Sequence, residues 1–409
     1  MSAWETDEEP REHAEFREEV RAWIEVEKPA HPGFKLPQTF LEVESERQFD
    51  FLRSWQRKVY EAGYLGLDWP EAYGGRGDAY RPQRIVSREL GRAGAPFLVN
   101  VIGLQWAGPT ILAHGDEAQK QRCLKPILSA EEIWCQGFSE PGAGSDLASV
   151  QARAEPAEDG GWRVTGHKVW TTLAHVSKWM ILLARTDSDA GKYAGLSYFL
   201  FSMDAQGVSV SPLIKMTGEG GFNQVVFDNA YMPREALLGE LGQGWKIAMT
   251  TLTHERGAAE GSGGGQATAS SEPIRAVAAL ARRVRRGGDT AADDPVLRDR
   301  IAQLWIEEEA LRLTGQRTRV PGLNVEERPL ATRLLSKLAY SELSQRIAEL
   351  ACEVLGPDAA LWLDDPKAPD RGEWPRAYMN SFGVTIGGGT SEIQRNILGE
   401  RVLGLPKSK

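Results

Sequence analysis

Cysteine is scarce, with three residues, Cys123, Cys135 and Cys352, in a chain of 409. They are too few and too scattered for a disulfide framework or a zinc site. Long apolar runs are also missing. A stretch such as Trp179–Ala184 reaches six residues, where a membrane span needs about 18. Positive charge is not in excess, since 48 Lys and Arg against 57 Asp and Glu leave a net charge of −9. This balance argues against nucleic-acid or anionic-membrane binding, which needs a dominant basic face. The six histidines show no metal-ligand spacing, and no G-x-S-x-G nucleophile elbow occurs. The opening MSAWETDEEP is acidic and has no apolar core. It therefore reads as neither a secretory signal nor an Arg-rich transit peptide, and a cytoplasmic location is expected.

What remains is an ordinary globular composition, 41% hydrophobic and 26% charged, long enough for two or three domains. Up to about Cys135 the pattern is helical. Thr6 or Asp7 can cap a segment in which Phe16, Val20, Trp23 and Ile24 recur at helical spacing. Further helices are expected over Glu46–Ala62, Pro82–Gly91, Val99–His114 and Glu117–Leu128. From Gln136 to about Leu241 the period falls to two. Strands are expected at Trp162–Thr165, Val169–Thr172, Trp179–Ala184, Leu196–Met203, Val208–Val210 and Val225–Phe227. After Gly242 the helical period returns. Leu297, Ile301, Leu304, Trp305 and Leu311 share one stripe, and another helix runs from Thr332 to Leu355, where Gly356 ends it. Ser391 and Gln394 have capping-box spacing for a last helix. Gly261–Ser271 is a low-complexity segment that reads as a loop. The domains expected are thus 1–135, helical; 136–241, all-β; and 242–409, a helical bundle.

Four segments carry candidate chemistry. Gln136–Asp146 (QGFSEPGAGSD) sets hydroxyls and Gly-released N–H groups in a tight turn, suited to a polar ring or a phosphate. In Gly166–Thr172 (GHKVWTT), Trp170 and Thr172 stand two apart on a strand, a flat wall beside a hydrogen-bonding group on one face. In the helix after Gly242-Gln243-Gly244, Trp245, Met249, Leu252 and Arg256 share a stripe, with Glu255 at its edge and His254 opposite. A carboxylate bordering an apolar stripe is expected to be desolvated and easier to protonate. Ile386–Arg395 (IGGGTSEIQR) feeds a glycine turn into a helix start, a possible cofactor edge without the Lys-Ser/Thr of a P-loop. The Arg282, Arg283, Arg285 and Arg286 cluster reads as a solvated helix face.

In this order and spacing the motifs resemble the acyl-CoA dehydrogenase family over nearly the whole chain. Phe138–Asp146 is similar to its first signature, Gly166-x-Lys168-x-Trp170-x-Thr172 to its flavin-wall strand, and Gly387–Arg395 to its second signature. Trp69-Pro70-Glu71-x-Tyr73-Gly74-Gly75 and Gly115-Asp116-Glu117-x-Gln119-Lys120 are fainter echoes. The resemblance implies an α+β multi-domain fold, with a helical domain, a middle β-barrel and a carboxyl-terminal four-helix bundle. It further implies FAD at Phe138, Ser139, Ser145, Trp170, Thr172, Thr390 and Glu392, and an acyl-CoA thioester near Ser145 and Arg256. The partners implied are an electron-transfer flavoprotein or similar acceptor and either a second copy or a related subunit.

One departure matters. Many family members carry a glutamate base in the second signature, where this chain has Gly388, preceded by Gly387 in place of a frequent aromatic. Others place the base after the β domain, immediately before an arginine, and Glu255-Arg256 fits that pattern. The family's Arg-x-x-Phe-Gly contact is not recognisable near Arg282–Gly288. The expected function is α,β-desaturation of an acyl-CoA, with Glu255 as base and room beside Gly387 and Gly388 for a branched or ring-bearing acyl group. The alternatives are a half-site subunit of a heteromeric dehydrogenase and a flavin monooxygenase on the same fold.

Overall fold

Apolar positions in the first third of the chain recur at helical spacing, and the backbone follows them. The structure, a computed structural model, describes residues 11–37, 39–78, 82–261, 273–317, 330–363 and 365–407. Helix α1 (Arg11–Glu27) buries Phe16, Val20 and Ile24, while Trp23 stays half-buried and stacks on Trp55, ring centroids 5.6 Å apart. The cap expected at Thr6 or Asp7 lies outside the described residues. Ser45 caps α2 (Glu46–Glu61) in a capping box with Gln48. Between α2 and α3 (Gln83–Arg92) the chain turns tightly, and a Cβ on Gly75 would lie 2.1 Å from the Trp69 carbonyl oxygen. The helix expected over Val99–His114 is interrupted. Gly103–Ala107 form a π-helical segment, and α4 is Gly108–His114. Asp116 and Gln119 then form the capping box of α5 (Glu117–Leu128). Both faint sequence echoes therefore mark local backbone geometry, a tight turn and a helix cap.

Strands β1 (Trp134–Gly137), β2 (Arg153–Pro156), β3 (Trp162–Thr172), β4 (Trp179–Arg185), β5 (Leu196–Ser202), β6 (Val208–Leu213) and β7 (Phe222–Met232) form one sheet. The hydrogen-bonded order is β1-β4-β2-β3-β7-β6, with β5 pairing β4. The runs expected at Trp162–Thr165 and Val169–Thr172 are one continuous strand. With four residues each, β1 and β2 are too short for period two to show. The sheet curls around its own core, because Cys135, Ala154, Val164, Leu182, Phe201 and Phe227, drawn from six strands, join one cluster. Its other face packs on the helices. Ile181 and Leu183 of β4 and Leu196, Tyr198 and Leu200 of β5 join the helical core, while Met180, Leu182, Ala184, Phe199 and Phe201 point inward. Both faces of β4 and β5 are thus covered, which is why these strands read as continuous apolar runs.

Helix α6 (Gly244–Gly261) lies on β5. The stripe expected from Trp245, Met249 and Leu252 is not the buried one, since all three are half-buried. The buried positions are Gly244, Ile247, Ala248 and Thr251. Close approach explains the rotation. A Cβ on Gly244 would lie 2.6 Å from backbone atoms of Leu196 and Ser197, so the helix seats on the strand through its small residues. Residues up to 266 form one compact unit and those from 267 a second.

The second unit comprises α7 (Pro273–Arg283), a two-strand hairpin of β8 (Arg285–Arg286) and β9 (Asp289–Thr290), α8 (Pro295–Arg317), α9 (Leu330–Leu355), α10 (Glu373–Ile386) and α11 (Ser391–Ile397). Leu280, Leu297, Ile301, Leu304, Leu350 and Val354 belong to its core. Trp305, placed on the stripe by spacing, is exposed. Gly356 ends α9 at φ +61°. Gly261–Ser271 falls on the 262–272 stretch and lies outside the described residues, apart from Gly261 at the end of α6. Among the described residues, no helix is long and apolar enough to cross a membrane.

The seating of α6 yields a test. Gly244→Ala forces two backbones apart, and overpacking of this kind costs about 1–3 kcal/mol. A lower urea midpoint is expected. Gly91→Ala, on an α3 position with nothing within 4 Å of the added methyl, is expected to leave the midpoint unchanged or raise it.

Candidate active site

Strand pairing dictates where the glycine-rich turn must lie. β1 pairs in parallel with residues 179–182 of β4, and β2 meets the same strand at Arg153–Arg185. β5 occupies the other edge of β4 along its whole length. The chain therefore leaves one edge of β4 after Gly137 and returns to it at Arg153. Phe138–Asp146 belongs to the excursion between.

A buried ion pair closes the base of that excursion. The Glu140 carboxylate accepts from Gln151 N at 2.6 Å, Ala152 N at 2.9 Å and Lys168 Nζ at 2.8 Å. Lys168, fully buried, also donates to the Phe138 carbonyl at 3.0 Å. Val169 N donates to Ser139 O at 2.9 Å, and Glu140 and Ala143 exchange backbone hydrogen bonds at 3.0 Å each way. Burial pushes the Lys168 ammonium down to about 8, and the charge of and hydrogen bond to Glu140 oppose the shift. Gly166 is required nearby, because a Cβ there would lie 2.5 Å from that of Ala152. Glu140 and Lys168 bolt the two signatures together, a contact that spacing alone does not reveal. A Glu and a Lys inside two motifs of one small domain was the available signal.

The candidate residues are distributed as follows. Phe138 is buried and meets the Tyr198 ring edge-on, centroids 5.8 Å apart. Ser139 is half-buried and Ser145 exposed at the tip. Trp170 and Thr172 do not follow simple alternation, because β3 shifts register against β7 between Lys168 and Thr171. Trp170 sits at that bulge with φ +59° and is 60% exposed, whereas Thr172 is buried. A bulge re-aims side chains in this way. The Trp170 ring stands edge-on to Phe222 at 5.8 Å.

On α6, Glu255 falls four residues after Thr251 and seven after Ala248, so it continues the buried stripe and is itself half-buried. His254 is exposed, as spacing implied. The side chain of Arg256 lies outside the described residues. One turn before Glu255, Thr251 Oγ1 lies 2.9 Å from both Tyr198 Oη and Thr110 Oγ1, a buried hydroxyl cluster that sequence reading missed. Burial raises the Tyr198 phenol above its ordinary range.

In the second unit the glycine turn enters α11, but the cap differs from expectation. Thr390 is the cap, its hydroxyl accepting from Ile393 N at 3.2 Å. Gln394, expected to pair with Ser391, instead donates to Gly388 O at 2.9 Å, and Lys337 donates to Gly389 O at 2.6 Å. Gly388 and Gly389 need their glycines for φ values of +66° and +96°. Gly387, at φ −63°, does not, although a Cβ there would sit tightly against Gly383 O at 3.3 Å. Glu392 is exposed at the helix start, where backbone N–H and Thr390 hold its carboxyl below the usual range. Three arginines of the basic cluster bond within their own unit: Arg283 to Asp370, Arg285 to Gly288 O and Arg286 to Glu353 O. No group of three or more His, Cys, Asp or Glu that could hold a metal occurs among the described residues.

An indole held outward on a strained bulge, beside a rigid hydroxyl-bearing turn, is the kind of wall that a flavoprotein offers its ring. The profiles of the acyl-CoA dehydrogenase N-terminal, middle and C-terminal domains match residues 10–131, 135–230 and 242–403, and the chain belongs to this family of FAD-dependent oxidoreductases. It is 40% identical over 397 residues to acyl-CoA dehydrogenase IpdE1 of Mycobacterium tuberculosis, covering 96% of this chain and 98% of that protein. It is 30% identical to the human mitochondrial short-chain specific acyl-CoA dehydrogenase over 353 residues, 85% of this chain and 82% of that one. Among solved structures it resembles the Tcur3481-Tcur3483 steroid ACAD, with TM-score 0.79, 28% identity and coverage of 98% and 99%. The ChsE4-ChsE5 complex of M. tuberculosis matches with TM-score 0.75, 27% identity and full coverage of both chains. The residues present fit FAD. Thr171 Oγ1 in the first unit and Ser391 Oγ and Gln394 Oε1 in the second are buried without a hydrogen-bond partner among the described residues.

Removing one member of a buried ion pair strands the other charge, at about 3–5 kcal/mol. Lys168→Met is therefore expected to lower stability to urea and to release FAD on gel filtration. Adding Glu140→Gln to it is expected to restore part of the loss, a coupling that a double-mutant cycle measures.

Proposed function

We propose that this chain desaturates an acyl-CoA at its α,β carbons with Glu255 as the base. The observation that carries the reading is the place of Glu255: on the continuation of the buried stripe of α6, half-buried, directly before Arg256. The α-proton of a thioester is a weak acid, so a carboxylate must be held close to it and the carbonyl polarised. Glu255 takes that proton, and Ser145 and Arg256 are assigned to the thioester by the motifs they match. Phe138, Ser139, Ser145, Trp170 and Thr172 hold FAD, and the motif they match assigns Thr390 and Glu392 to the cofactor as well. Bound FAD supplies the hydride acceptor for the β-hydrogen. Electrons then pass to an electron-transfer flavoprotein or similar acceptor.

The acyl group is ring-bearing, of the steroid class. Gly387 carries no side chain where relatives often have an aromatic ring, and its own φ of −63° does not demand a glycine. Unfilled apolar space forfeits contacts that a thin chain cannot recover and a ring can. The similarity to a steroid ACAD structure supports the same reading.

A second reading is that the chain works as one subunit of a heteromeric dehydrogenase. The Arg-x-x-Phe-Gly contact is unrecognisable, Arg283, Arg285 and Arg286 are bonded within their own unit, and similar structures include a two-component complex. Less than one FAD per chain when purified alone, rising on co-expression with a related subunit, would favour it.

Glu255→Gln keeps the shape and removes the proton acceptor. FAD is expected to stay bound, while the rate of flavin bleaching by acyl-CoA falls about 10²–10⁴-fold. Near-normal bleaching would remove Glu255 from the mechanism and point to another base, whereas a wild type that acyl-CoA does not bleach but that consumes oxygen with NADH would favour the monooxygenase reading.

Across a panel, 3-cyclohexylpropanoyl-CoA and a steroid with a propanoyl-CoA side chain are expected to exceed butyryl-, octanoyl- and palmitoyl-CoA in kcat/KM. The reverse order would mean that Gly387 shapes only the backbone.

A further inference from the structure

The hydroxyl cluster behind Glu255 has a direction. Thr110 Oγ1 donates to the Trp106 carbonyl at 2.7 Å, which can only accept. Thr110 therefore accepts from Thr251, and Thr251 from Tyr198, the terminal donor, each at 2.9 Å. All three hydroxyls are fully buried. They join three elements, β5 through Tyr198, α4 through Thr110 and α6 through Thr251. The same Tyr198 ring meets Phe138 of the flavin turn. Helix α6 thus has two anchors on its inner face. Gly244 seats its first turn on β5, and Thr251 fixes it two turns later, one turn before Glu255.

We propose that Tyr198 and Thr110, acting through Thr251, are positioning residues for proton abstraction. They set the rotation and height of the α6 turn that carries Glu255 relative to the sheet that carries the flavin turn. This rests on the reading of Glu255 as base. Apolar contacts alone would let a helix slide or roll by tenths of an ångström at little cost, whereas a chain of directional hydrogen bonds does not. Base catalysis is sensitive to displacements of that size.

The test uses the FAD-loaded full chain, with the co-expressed subunit if one is needed. (Cyclohexylthio)acetyl-CoA has an acidic α-carbon but sulfur at the β position, so it can be deprotonated without yielding a hydride. Its enolate beside oxidised flavin gives a long-wavelength absorption band that reports proton removal alone. Losing a net hydrogen bond is worth about tenfold in an equilibrium. Tyr198→Phe and Thr251→Val are therefore expected to lower the band by about that factor at saturating analogue, with FAD content unchanged. Thr251→Ser, which keeps the hydroxyl, is expected to retain it. Amide hydrogen exchange over residues 248–255 is expected to rise by a similar factor in the first two variants, but not in β4.

A full band in Tyr198→Phe and Thr251→Val would overturn the proposal, even if exchange rises, because the cluster would then be structural only. Should the wild type give no band with this analogue, the rate of flavin bleaching by the best acyl-CoA of the panel takes its place, and an unchanged rate in Tyr198→Phe and Thr251→Val overturns the proposal. Glu255→Gln serves as the separate control. If that variant keeps the band, the base assignment fails, whatever the cluster does.

Discussion

The lysine–glutamate pair between Lys168 and Glu140 is the contact on which the first unit's chemistry turns. Two charges taken out of water are costly unless each finds full compensation. Here the carboxylate accepts from two backbone amides and an ammonium, and the ammonium finds a carbonyl as its second partner. The compensation comes from both ends of the β1–β2 excursion and from β3, so no one of these can move without exposing a charge. Two residues along β3 stands Trp170, held at a positive φ that a bulky side chain adopts at a cost of about 1–3 kcal/mol. Pinned pairing on either side of the bulge, Lys168 with Val225 and Thr171 with Asn223, keeps it there.

The division into helical, β and helical stretches was legible because periodicity changes abruptly along the chain. Strands β4 and β5 announced themselves through unbroken apolar runs, a consequence of burial on both faces. Strands β1 and β2 did not, being four residues long and placed at either end of a glycine-rich loop. Alternation misplaced Trp170 because a bulge adds a residue without changing composition. The α11 cap was misread by one position, since Thr390 and Ser391 are chemically equivalent in sequence and the positive φ of Gly388 and Gly389 decides which one precedes the helix.

The candidate site was legible as motifs and not as mechanics. Glu255 was reached by reading it at the edge of a stripe of Trp245, Met249 and Leu252, yet the buried stripe is the neighbouring one of Gly244, Ile247, Ala248 and Thr251. Hydropathy selects large residues, whereas close packing on a strand selects small ones. The two criteria point to faces that adjoin, and Glu255 borders both. The hydroxyl cluster could not be read at all, because Thr110, Tyr198 and Thr251 lie 88 and 53 positions apart in sequence and only topology brings them together.

The excursion that leaves and rejoins one edge of β4 has a consequence for how this scaffold diversifies. Its base is sealed by Glu140, Gln151, Ala152 and Lys168, while the tip at 141–146, apart from Ala143, is exposed. Strand register is set below the seal, so changes in the tip's length or sequence do not propagate into the sheet. The tip is a separately mounted part: what it presents to solvent is decoupled from what folds the sheet.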